Sequence, residues 1–542
     1  MKVLIIGGVA AGTKVAAKLK REDRSADVLI LTKSQDISYA GCGLPYYVGD
    51  VIQDRGQLIV NTPEKFAKLT GAKVETGVEV TALDRAGKKV TAVHMESGET
   101  KEYEYDKLVI ATGASPVVPP LPGLDMENVF LMRTPDDADA LKKAAEAGKI
   151  KRAVIAGGGF IGLEVAENLT SRGIRTTVID MLEHIMPGFD TEMAEYVEEH
   201  LAEQGIAVLT GTRLEGVEGT GKVEKVLTSR RAIKADALVL SLGIRANTGF
   251  LADTGIELAP NRTVIVDEYM RTNDENIYAL GDCSMIRNRM TGKPAWSPMG
   301  SSANIEGRIA AQNICGGNVS YPGVLGTGVV KLPELNAGRT GLTEEAAKAE
   351  GHDVVSVVAI LDDKAHYYPG AGSFMVKMIA DKTTDEFLGI QVLGTGAVDK
   401  MVDIAVTALS LKATVHQLEH LDFAYAPPFS TAIHPFAHGI NILINKMKGE
   451  FDTFTPVEYA QGEAEGYTVL DVSLKPTVPG SEYIDLGSVE GELPGHGKDE
   501  KLLLVCTKGK RAYMLQNRLK YYGYTNTKAL EGGAMFNRID ED

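Results

Sequence analysis

Residues 152–162 read RAVIAGGGFIG, an apolar strand that runs into a glycine-rich turn and the start of a helix. The glycines follow the spacing G-x-G-x-x-G, and the next strand, TTVID, ends in Asp180. Glycine lets the backbone approach a phosphate closely, and a helix N-terminus supplies N–H donors to it. The carboxylate accepts from a ribose 2′-hydroxyl and would repel a 2′-phosphate, so the stretch predicts a dinucleotide site that favours NADH over NADPH; the alternative is a βαβ turn without a ligand. The residues expected to bind NADH are Gly157, Gly159, Phe160, Ile161, Gly162, Glu164, Asp180 and Gly243.

The N-terminus follows the same plan. The strand KVLII leads into GGVAAG, a helix and the strand VLILT, although Val9 replaces the middle glycine and Thr32 replaces the usual acid. Two distant stretches complete an FAD signature, namely IYALGDC at 277–283, which contains Asp282, and ATG at 111–113. The residues expected to bind FAD are Gly7, Gly8, Ala11, Gly12, Thr32, Lys33, Val80, Ala111, Thr112, Gly113, Arg133 and Asp282.

Length and composition narrow the class of protein. At about 100–200 residues per domain, a chain of 542 residues predicts three or four domains. The net charge of −16 disfavours nucleic-acid binding, and no apolar run approaches the length of a membrane span. MKVLIIGGVAAG is interpreted as part of the fold rather than as a signal peptide, so the cytoplasm is the expected compartment. The four cysteines form no C-x-x-C pair, and we expect neither a disulfide framework nor a metal site.

Over about residues 1–446, these motifs in this order resemble the flavoprotein disulfide reductases that bind two dinucleotides. SYAGCGLPYYVGD, at 38–50, has one cysteine where most of that superfamily has two. It is similar to the coenzyme A disulfide reductase branch, whose relatives include NADH oxidases and peroxidases. The motif of that branch is Ser-Phe-x-Asn-Cys-x-Leu-Pro-Tyr. Here Tyr39 replaces the Phe, and Gly41 replaces an Asn whose amide could hydrogen-bond to the substrate.

Cys42 is the expected nucleophile. It precedes Gly-Leu-Pro, with Pro45 suited to the first turn of a helix, and a thiol at a helix N-terminus has a lowered pKa. Its thiolate can attack a sulfur–sulfur bond and hold part of the substrate as a mixed disulfide. The resemblance implies that electrons from NADH reach this disulfide through FAD. The alternative is a buried, unreactive packing cysteine.

The resemblance also implies an active site shared between two subunits. Tyr367 in HYYPG and Tyr425 in FAYAPPFS match tyrosines that, in the family, come from the partner subunit of a homodimer and lie over the cysteine and flavin. A phenol there can protonate a leaving thiolate; an aromatic core pair is the alternative. Three cations of the first helix share one face, which is either solvated or, as in the family, holds the nucleotide end of coenzyme A. The residues expected to bind substrate are Lys14, Lys18, Arg21, Ser38, Gly41 and Asn304.

The last stretch of the chain has the motif CTKGKR after the strand LLLV. Its form, C-x-x-G-x-R, resembles the active loop of rhodanese-type sulfurtransferases, in which a cysteine at a helix start carries a persulfide. Asp471-Val472-Ser473 lacks the arginine of that family's Asp-Val-Arg, so a docking module that merely buries the cysteine is the alternative. The residues of the expected persulfide loop are Cys506, Thr507, Lys508, Gly509, Lys510 and Arg511.

Together, the motifs and the resemblance predict an α/β chain of four domains. Two are Rossmann-like dinucleotide-binding domains, one is an α+β dimerisation domain, and one is a C-terminal α/β rhodanese-like domain. Residues 452–456 are interpreted as a linker. The expected ranges are 1–118 with 245–322 for FAD binding, 119–244 for NAD(H) binding, 323–448 for dimerisation and 453–542 for the rhodanese-like domain.

The expected function is NADH-dependent reduction of coenzyme A persulfide or polysulfide, with some coenzyme A disulfide reduction retained. Cys506 would carry sulfane sulfur to coenzyme A, and Cys42 would attack the resulting persulfide. Two alternatives stay open. One is a water-forming NADH oxidase, in which Cys42 cycles through a sulfenate. The other is a redox-sensing or sulfur-relay platform with little turnover of its own.

Overall fold

The computed structural model describes residues 1–539, and these form two compact units. The first unit comprises Met1–Ile185 and Gly205–Val324. The second comprises Met186–Gln204 and the chain from Leu325 onward. The four domain ranges expected from the sequence remain predictions.

The bounds of the regular elements follow in chain order. The helices are α1 (Ala10–Glu22), α2 (Leu44–Val48), α3 (Pro63–Thr70), α4 (Pro135–Glu146), α5 (Phe160–Ser171), α6 (Thr191–Glu203), α7 (Gly300–Ile314), α8 (Glu344–Ala349), α9 (Val398–Ser410), α10 (Val415–Glu419), α11 (Pro435–Met447), α12 (Pro456–Ala460), α13 (Lys510–Tyr521) and α14 (Gly533–Asn537). The strands are β1 (Lys2–Ile6), β2 (Asp27–Thr32), β3 (Lys73–Thr76), β4 (Val78–Asp84), β5 (Lys89–His94), β6 (Thr100–Glu104), β7 (Lys107–Ile110), β8 (Ala114–Pro116), β9 (Val129–Phe130), β10 (Arg152–Ala156), β11 (Arg175–Ile179), β12 (Ala207–Leu209), β13 (Leu214–Glu218), β14 (Lys225–Thr228), β15 (Ala232–Lys234), β16 (Ala237–Leu240), β17 (Ile244–Ala246), β18 (Val264–Ile265), β19 (Ile277–Ala279), β20 (Ser284–Arg287), β21 (Pro294–Ala295), β22 (Gly328–Leu332), β23 (Leu335–Gly341), β24 (Val354–Asp362), β25 (Ser373–Asp381), β26 (Phe387–Gly394), β27 (Thr453–Phe454), β28 (Thr468–Asp471), β29 (Glu482–Tyr483), β30 (Leu502–Val505) and β31 (Thr527–Leu530).

Two parallel five-stranded sheets organise the first unit. Their strand orders are β19-β7-β1-β2-β3 and β12-β11-β10-β16-β9. The strands β1 and β10, which precede the two glycine turns, each have a parallel neighbour on both sides. Central strands of parallel sheets are covered on both faces, which explains why KVLII and RAVIA are apolar almost throughout. Both βαβ units predicted from the sequence are therefore present, and each is of the Rossmann type.

The second unit contains an antiparallel sheet of order β22-β23-β26-β25-β24. The helix α9 packs on β23 and β26, and α11 packs on β24 and β25. The strand β24 is an edge of this sheet, since β25 is its sheet neighbour on one side and the order ends on the other. The strands β25 and β26 of this sheet are almost completely buried, as their largely apolar sequences FMVKMIA and FLGIQVLG predict.

A parallel sheet of order β27-β31-β30-β28-β29 follows in the same unit. We call residues 453–539 the C-terminal module. The interpretation of residues 452–456 as a linker is wrong, because β27 pairs with β31 and Phe454 is buried in the core of the module. Two residues are too few to show the alternation of a strand, so the sequence does not distinguish β27 from a linker.

Two further observations concern the described residues. No helix within residues 1–539 has both the length and the apolar character needed to cross a membrane. In the same part of the chain, no three side chains of His, Cys, Asp or Glu come together in a way that could hold a metal ion.

Candidate active site

The two glycine turns of the first unit have the same local geometry. The Gly7 N–H donates to Leu31 O and the Gly157 N–H to Ile179 O, each at 2.8 Å. Both glycines have φ near 113–114°, in the region that favours glycine. A Cβ at Gly7 would lie 2.0 Å from Ala111 O, so no side chain fits there.

The turns also leave room for dinucleotides on their outer side. A Cβ at Gly159 or Gly243 would meet nothing within 4 Å. Ser241 Oγ, at the end of β16, is buried and has no hydrogen-bond partner among residues 1–539. Close-packed glycines, open space at the start of α5 and a buried free hydroxyl fit a bound dinucleotide. The remaining residues expected at these turns lie as predicted at the starts of α1 and α5 and at the end of β7, namely Gly8, Ala11, Gly12, Phe160, Ile161, Gly162, Ala111, Thr112 and Gly113.

Asp180 at the second glycine turn and Thr32, which replaces the acid at the first turn, make different contacts. Asp180 accepts from Gly158 N at 2.7 Å and from Leu182 N at 2.8 Å, so its carboxylate fixes the second turn. Thr32, the equivalent residue at the first turn, is buried against Gly8. Its neighbour Lys33 forms an ion pair with Glu79 at 2.9 Å, beside the predicted FAD residue Val80 on β4.

Three side chains form hydrogen bonds with Gly281 and Asp282 of the FAD signature. Arg133 donates to the Asp282 carboxylate at 2.6 Å, which brings together two predicted FAD residues. Trp296, the one tryptophan of the chain, donates through Nε1 to Asp282 O at 3.0 Å. The buried carboxylate of Glu306 accepts from Gly281 N at 2.7 Å, and burial raises the pKa of Glu306 to about 7. The turn that carries Asp282 is therefore well fixed before any ligand binds.

Cys42 lies in a single 3-10 turn, Gly41–Gly43, just before α2. Its side chain is exposed at the surface of the first unit, so the alternative of a buried packing cysteine is wrong. A Cβ on Gly41 would meet nothing within 4 Å, so this position has room for the family's asparagine. Ser38, which has φ of 49°, donates through its N–H to Gly8 O at 2.9 Å and so ties the cysteine segment to the first glycine turn.

The pKa of Cys42 differs from the sequence expectation. Removal of water by neighbouring atoms raises the pKa of the Cys42 thiol, and the nearby carboxylates of Glu164 and Asp282 raise it further. Arg133 acts in the opposite direction. The expectation of a lowered pKa from the helix N-terminus is thus wrong for the chain by itself, because desolvation, followed by the charges of Glu164 and Asp282, raises the pKa, and α2 is only five residues long.

Tyr46 and Glu164 form a hydrogen-bonded pair near Cys42 that the sequence does not predict. Tyr46 Oη donates to Glu164 at 2.9 Å, joining α2 to α5. Burial raises the pKa of the Glu164 carboxyl to about 7, although the hydrogen bond from Tyr46 lowers it. Tyr46 lies inside the quoted cysteine motif and Glu164 is an expected NADH residue, but only the fold shows that they meet beside Cys42.

The cationic face of α1 extends onto a second helix. Lys18 forms an ion pair with Glu22, and the same glutamate lies within electrostatic reach of Arg21 and Arg308. Arg308 is exposed on α7, which packs along α1; Gly307 allows this approach, since a Cβ there would lie 3.0 Å from Lys14 Cβ. Arg308 is not among the residues predicted from the sequence, although it follows the predicted Asn304 by one helical turn. Asn304 is also exposed, and its amide donates to Gly300 O.

The two predicted tyrosines come together in the second unit. Tyr367 lies close enough to Tyr425 to raise the pKa of its phenol. Their residues are 65 % and 49 % exposed, so the alternative of an aromatic core pair within one protomer is wrong. Exposed phenols on loops are available to a second copy of the chain.

The loop CTKGKR joins β30 to α13 in the C-terminal module. Cys506 is buried, and its carbonyl accepts from Ala534 N at 3.0 Å. Thr507 O accepts from Met535 N at 3.0 Å, and Arg511 Nε donates to Val472 O at 2.6 Å. Gly509 has φ of 87°, which lets the loop turn into α13, where Lys510 is exposed. The six predicted loop residues therefore form one local structure.

Beneath this loop lies the remnant of the Asp-Val-Arg motif. The Asp471 carboxylate is buried and accepts from the N–H groups of Ser473 and Val478 at 2.9 and 3.0 Å, and from Thr477 N. It therefore fixes the segment after β28. The other two cysteines are free thiols away from any such loop: Cys283 is buried beside Ile110, and Cys315 ends α7.

Comparisons with known proteins agree with this arrangement. Residues 1–302 match the family model described as pyridine nucleotide-disulphide oxidoreductase, and residues 329–437 match its dimerisation domain. The NAD(P)H sulfur oxidoreductase (CoA-dependent) of Pyrococcus furiosus is 36 % identical over 435 residues, covering 80 % of this chain and 97 % of that protein.

Two solved structures extend the similarity into the C-terminal module. The NAD-dependent persulfide reductase from A. fulgidus is 35 % identical with a TM-score of 0.94, and the match covers 99 % of this chain and 100 % of that one. The reduced CoADR-RHD of Bacillus anthracis is 32 % identical with a TM-score of 0.94, covering 99 % and 98 %.

Proposed function

Because the chain belongs to the pyridine nucleotide-disulphide oxidoreductase family, we propose that it reduces coenzyme A persulfide or polysulfide, and coenzyme A disulfide, through Cys42. The protein is an oxidoreductase, and its family uses FAD and NAD(P)H. The position of Asp180 at the second turn supports NADH as the preferred donor, since a carboxylate there repels a 2′-phosphate.

The observation that carries the proposal is the setting of Cys42. It is the exposed thiol of the cysteine motif, and Arg133, Asp282 and Glu164 lie within electrostatic reach of it. Two of these are expected FAD residues and one is an expected NADH residue. A single sulfur between the two expected nucleotide sites would pass an electron pair from the cofactors to a substrate.

The reaction at this sulfur is a thiol–disulfide exchange. The Cys42 thiolate attacks the coenzyme A sulfur of the persulfide, the sulfur–sulfur bond breaks, and hydrosulfide leaves. Cys42 then holds coenzyme A as a mixed disulfide. FAD, held by the residues of the Gly7 turn and Asp282, would supply the electron pair from NADH that reduces this mixed disulfide to two thiols. Glu164, whose pKa is about 7, can give a proton to a departing thiolate near neutral pH.

The substrate and the second subunit complete the site. The cations of α1, together with Ser38, Gly41 and Asn304, hold the nucleotide end of coenzyme A. The exposed pair Tyr367 and Tyr425 reaches the Cys42 of the partner subunit in a homodimer, as the presence of a dimerisation domain supports. The protein works in the cytoplasm without a metal ion.

The C-terminal module is a rhodanese-type relay. Cys506 takes sulfane sulfur from polysulfide and passes it to coenzyme A, which becomes the substrate of Cys42. The loop geometry and the match of full-length solved relatives support this role, although Ser473 stands where the family has arginine. The proposed domain ranges are those expected from the sequence: FAD binding at 1–118 and 245–322, NAD(H) binding at 119–244, dimerisation at 323–448 and the rhodanese-like domain at 453–542.

NADH consumption with four separate acceptors tests the proposal. These are coenzyme A persulfide, coenzyme A disulfide, polysulfide with catalytic coenzyme A, and oxygen. Cys42→Ser should abolish turnover with the three sulfur acceptors. Cys506→Ser should slow turnover with polysulfide while turnover with coenzyme A disulfide stays at the parental rate.

Three outcomes would contradict parts of this scheme. Rapid NADH oxidation with oxygen alone, free of peroxide, would identify a water-forming NADH oxidase. Negligible turnover with every acceptor, with capture of partners through the C-terminal module, would identify a relay platform. If Cys506→Ser changed nothing with polysulfide, the module would have no part in sulfur delivery.

A further inference from the structure

The helix α2, which follows Cys42, is too short to hold its own position. It has five residues, and an isolated helix of that length is not stable in water. Burial of Leu44, Tyr47 and Val48 attaches one side of α2 to the core of the first unit. The hydrophobic effect is non-directional, so the polar contacts of α2 add the precision that packing alone does not give.

Two cations bind the last carbonyl groups of α2. Lys142, on α4, donates through Nζ to Tyr47 O at 3.0 Å. Arg172, which directly follows α5, donates through Nη1 to Val48 O at 2.8 Å. The carbonyls at the end of a helix have no partner within the helix, and positive charge is favoured there. The end of α2 is therefore held by side chains from two other parts of the first unit.

The carboxylate of Asp50 joins these two cations. It forms an ion pair with Lys142 and another with Arg172, the second at 3.0 Å. Lys142 is only 6 % exposed, and burying a lysine without a partner is costly, so Asp50 supplies the compensating charge. The Lys142 ammonium also lies 4.6 Å from the centroid of the Tyr47 ring. We call Asp50, Lys142 and Arg172 the α2 clamp.

The same end of α2 lies directly on α5. A Cβ at Gly49 would lie 2.9 Å from Asn168 Cβ and closer still to its amide, so there is no room for a side chain. The Asn168 amide is fixed in turn, because it donates to Glu164 O at 2.8 Å. The hydrogen bond from Tyr46 to the Glu164 carboxylate is a second link between the two helices. The chain of α5 therefore holds α2 at Glu164 and again at Arg172, about two helical turns further along.

Cys42 depends on the place of α2 for its surroundings. The thiol lies in the 3-10 turn that runs directly into α2. The groups that act on it electrostatically come from different elements, namely Glu164 on α5, Asp282 in the FAD signature, Arg133 before α4 and, on α2 itself, the phenol of Tyr46. A shift of α2 against α5 would therefore change the distance from the thiol to Glu164.

We propose that Lys142 and Arg172 are positioning residues for Cys42, which fix the end of α2 so that the thiol keeps one place beside Glu164. Neither cation belongs to the residues expected to bind FAD or NADH, and both act on Cys42 through α2. The effect on turnover rests on the proposed function, whereas the effect on the thiol does not. A cysteine that changes from thiolate to mixed disulfide and back needs a support that stays in place.

Alkylation of Cys42 tests the positioning without any substrate. Loss of the clamp in Lys142→Met should return the thiol toward the pKa of an ordinary cysteine, because burial and the charges of Glu164 and Asp282 raise it in the parent. The rate of alkylation by iodoacetamide should then reach half of its maximum about half a pH unit lower. Unchanged profiles in both Lys142→Met and Arg172→Met would overturn the inference.

The two halves of the reaction separate positioning from general damage. In Lys142→Met, kcat for coenzyme A disulfide should fall about tenfold, because a displaced sulfur meets its target in a poorer geometry. Reduction of FAD by NADH, followed by bleaching of the flavin absorbance, does not use Cys42 and should change less than about twofold. Lys142→Arg, which keeps a charged donor, should recover most of kcat. Equal slowing of both halves would show that Lys142 acts on the nucleotide sites in general, and the inference would be wrong.

Arg85→Met is the matched control. Arg85 is another half-buried cation of the first unit that binds a carboxylate and a backbone carbonyl, those of Asp274 at 3.2 Å and Thr254 at 3.3 Å. Its variant should lose a comparable amount of stability in thermal unfolding while the alkylation profile and kcat stay at the parental values. An equal loss of kcat in Arg85→Met and Lys142→Met would overturn the positioning role.

Asp50→Asn provides a milder variant should Lys142→Met fold poorly, because the Asp50 side chain is 50 % exposed. It should shift the alkylation profile in the same direction by a smaller amount, and an unshifted profile would count against the clamp. If the parent enzyme itself reduces none of the sulfur acceptors, the failure lies with the proposed function. The alkylation profiles still decide whether the clamp positions Cys42.

Discussion

Arg133 donates to the Asp282 carboxylate at 2.6 Å, although the two residues lie 149 positions apart in the chain. The pair sets the charge of the turn that is expected to bind FAD, because the guanidinium offsets a carboxylate that would repel a pyrophosphate. It also places a cation within electrostatic reach of Cys42. We therefore expect this one ion pair to influence both cofactor binding and the chemistry of the Cys42 thiol.

Arg133→Met should raise the Kd for FAD about tenfold or more, as expected for loss of a charge-assisted hydrogen bond. Titration of the apoprotein with FAD can be followed by quenching of Trp296, whose indole donates to Asp282 O. Arg152→Met removes a comparable ion pair, with Asp236 at 2.7 Å, and serves as the control. Equal FAD affinities in the two variants would contradict the role of Arg133.

Glu164→Gln should lower the pKa of Cys42. Glu164 has a pKa of about 7, so it is negatively charged at the higher pH where the thiol titrates, and that charge disfavours the thiolate. The rate of Cys42 alkylation by iodoacetamide, measured against pH, should therefore rise at lower pH in the variant. Tyr46→Phe keeps the carboxylate and should leave the thiol pKa raised. An unchanged alkylation profile in Glu164→Gln would show that Glu164 does not act on Cys42.

Asp180→Asn should reduce the ratio of kcat/KM for NADH over NADPH about tenfold, because the charge that repels a 2′-phosphate is lost. Part of the loss will come from NADH itself, since the carboxylate also accepts from Gly158 N and Leu182 N. Asp253→Asn, at an exposed position with positive φ, is the control. A ratio that stays at the parental value would remove Asp180 from coenzyme selection.

If the cationic face of α1 and α7 holds the nucleotide end of coenzyme A as proposed, Arg308→Met should raise the KM for coenzyme A disulfide about fivefold and leave kcat unchanged, because a cation there would act on the anionic end of the substrate rather than on its sulfur. The dependence of KM on salt should also become weaker. Arg24→Met removes an exposed cation just after α1 and should change neither quantity. If both variants behaved alike, the cationic face would be an ordinary solvated surface.

The glycine turns and the cysteine motif were predictable because local chemistry decides them. Gly157 needs a positive φ and cannot carry a side chain, so its spacing from the flanking strand and helix is visible in the sequence. Arg308 could have been found as well, one turn after Asn304. Such local patterns can be read from the sequence because they do not depend on contacts with distant parts of the chain.

The electrostatics of Cys42 and the contacts of Lys142 could not be predicted in the same way. The pKa of Cys42 depends on Glu164 and Asp282, which the fold brings from other elements. Lys142 binds Tyr47 O from 95 positions away, and no spacing rule relates them. The strand β27 could not be predicted because two residues cannot show a periodic pattern of apolar side chains.

The edge position of β24 has a consequence for any attempt to shorten the chain. An uncovered strand edge offers its N–H and C=O groups to other chains and promotes aggregation. Glu531 occupies one such N–H, that of Val358, and does so with a carboxylate that is itself buried. Truncation before β27 would remove this contact, so we expect the shortened chain to aggregate more readily than the full chain, whether or not Cys506 carries sulfur.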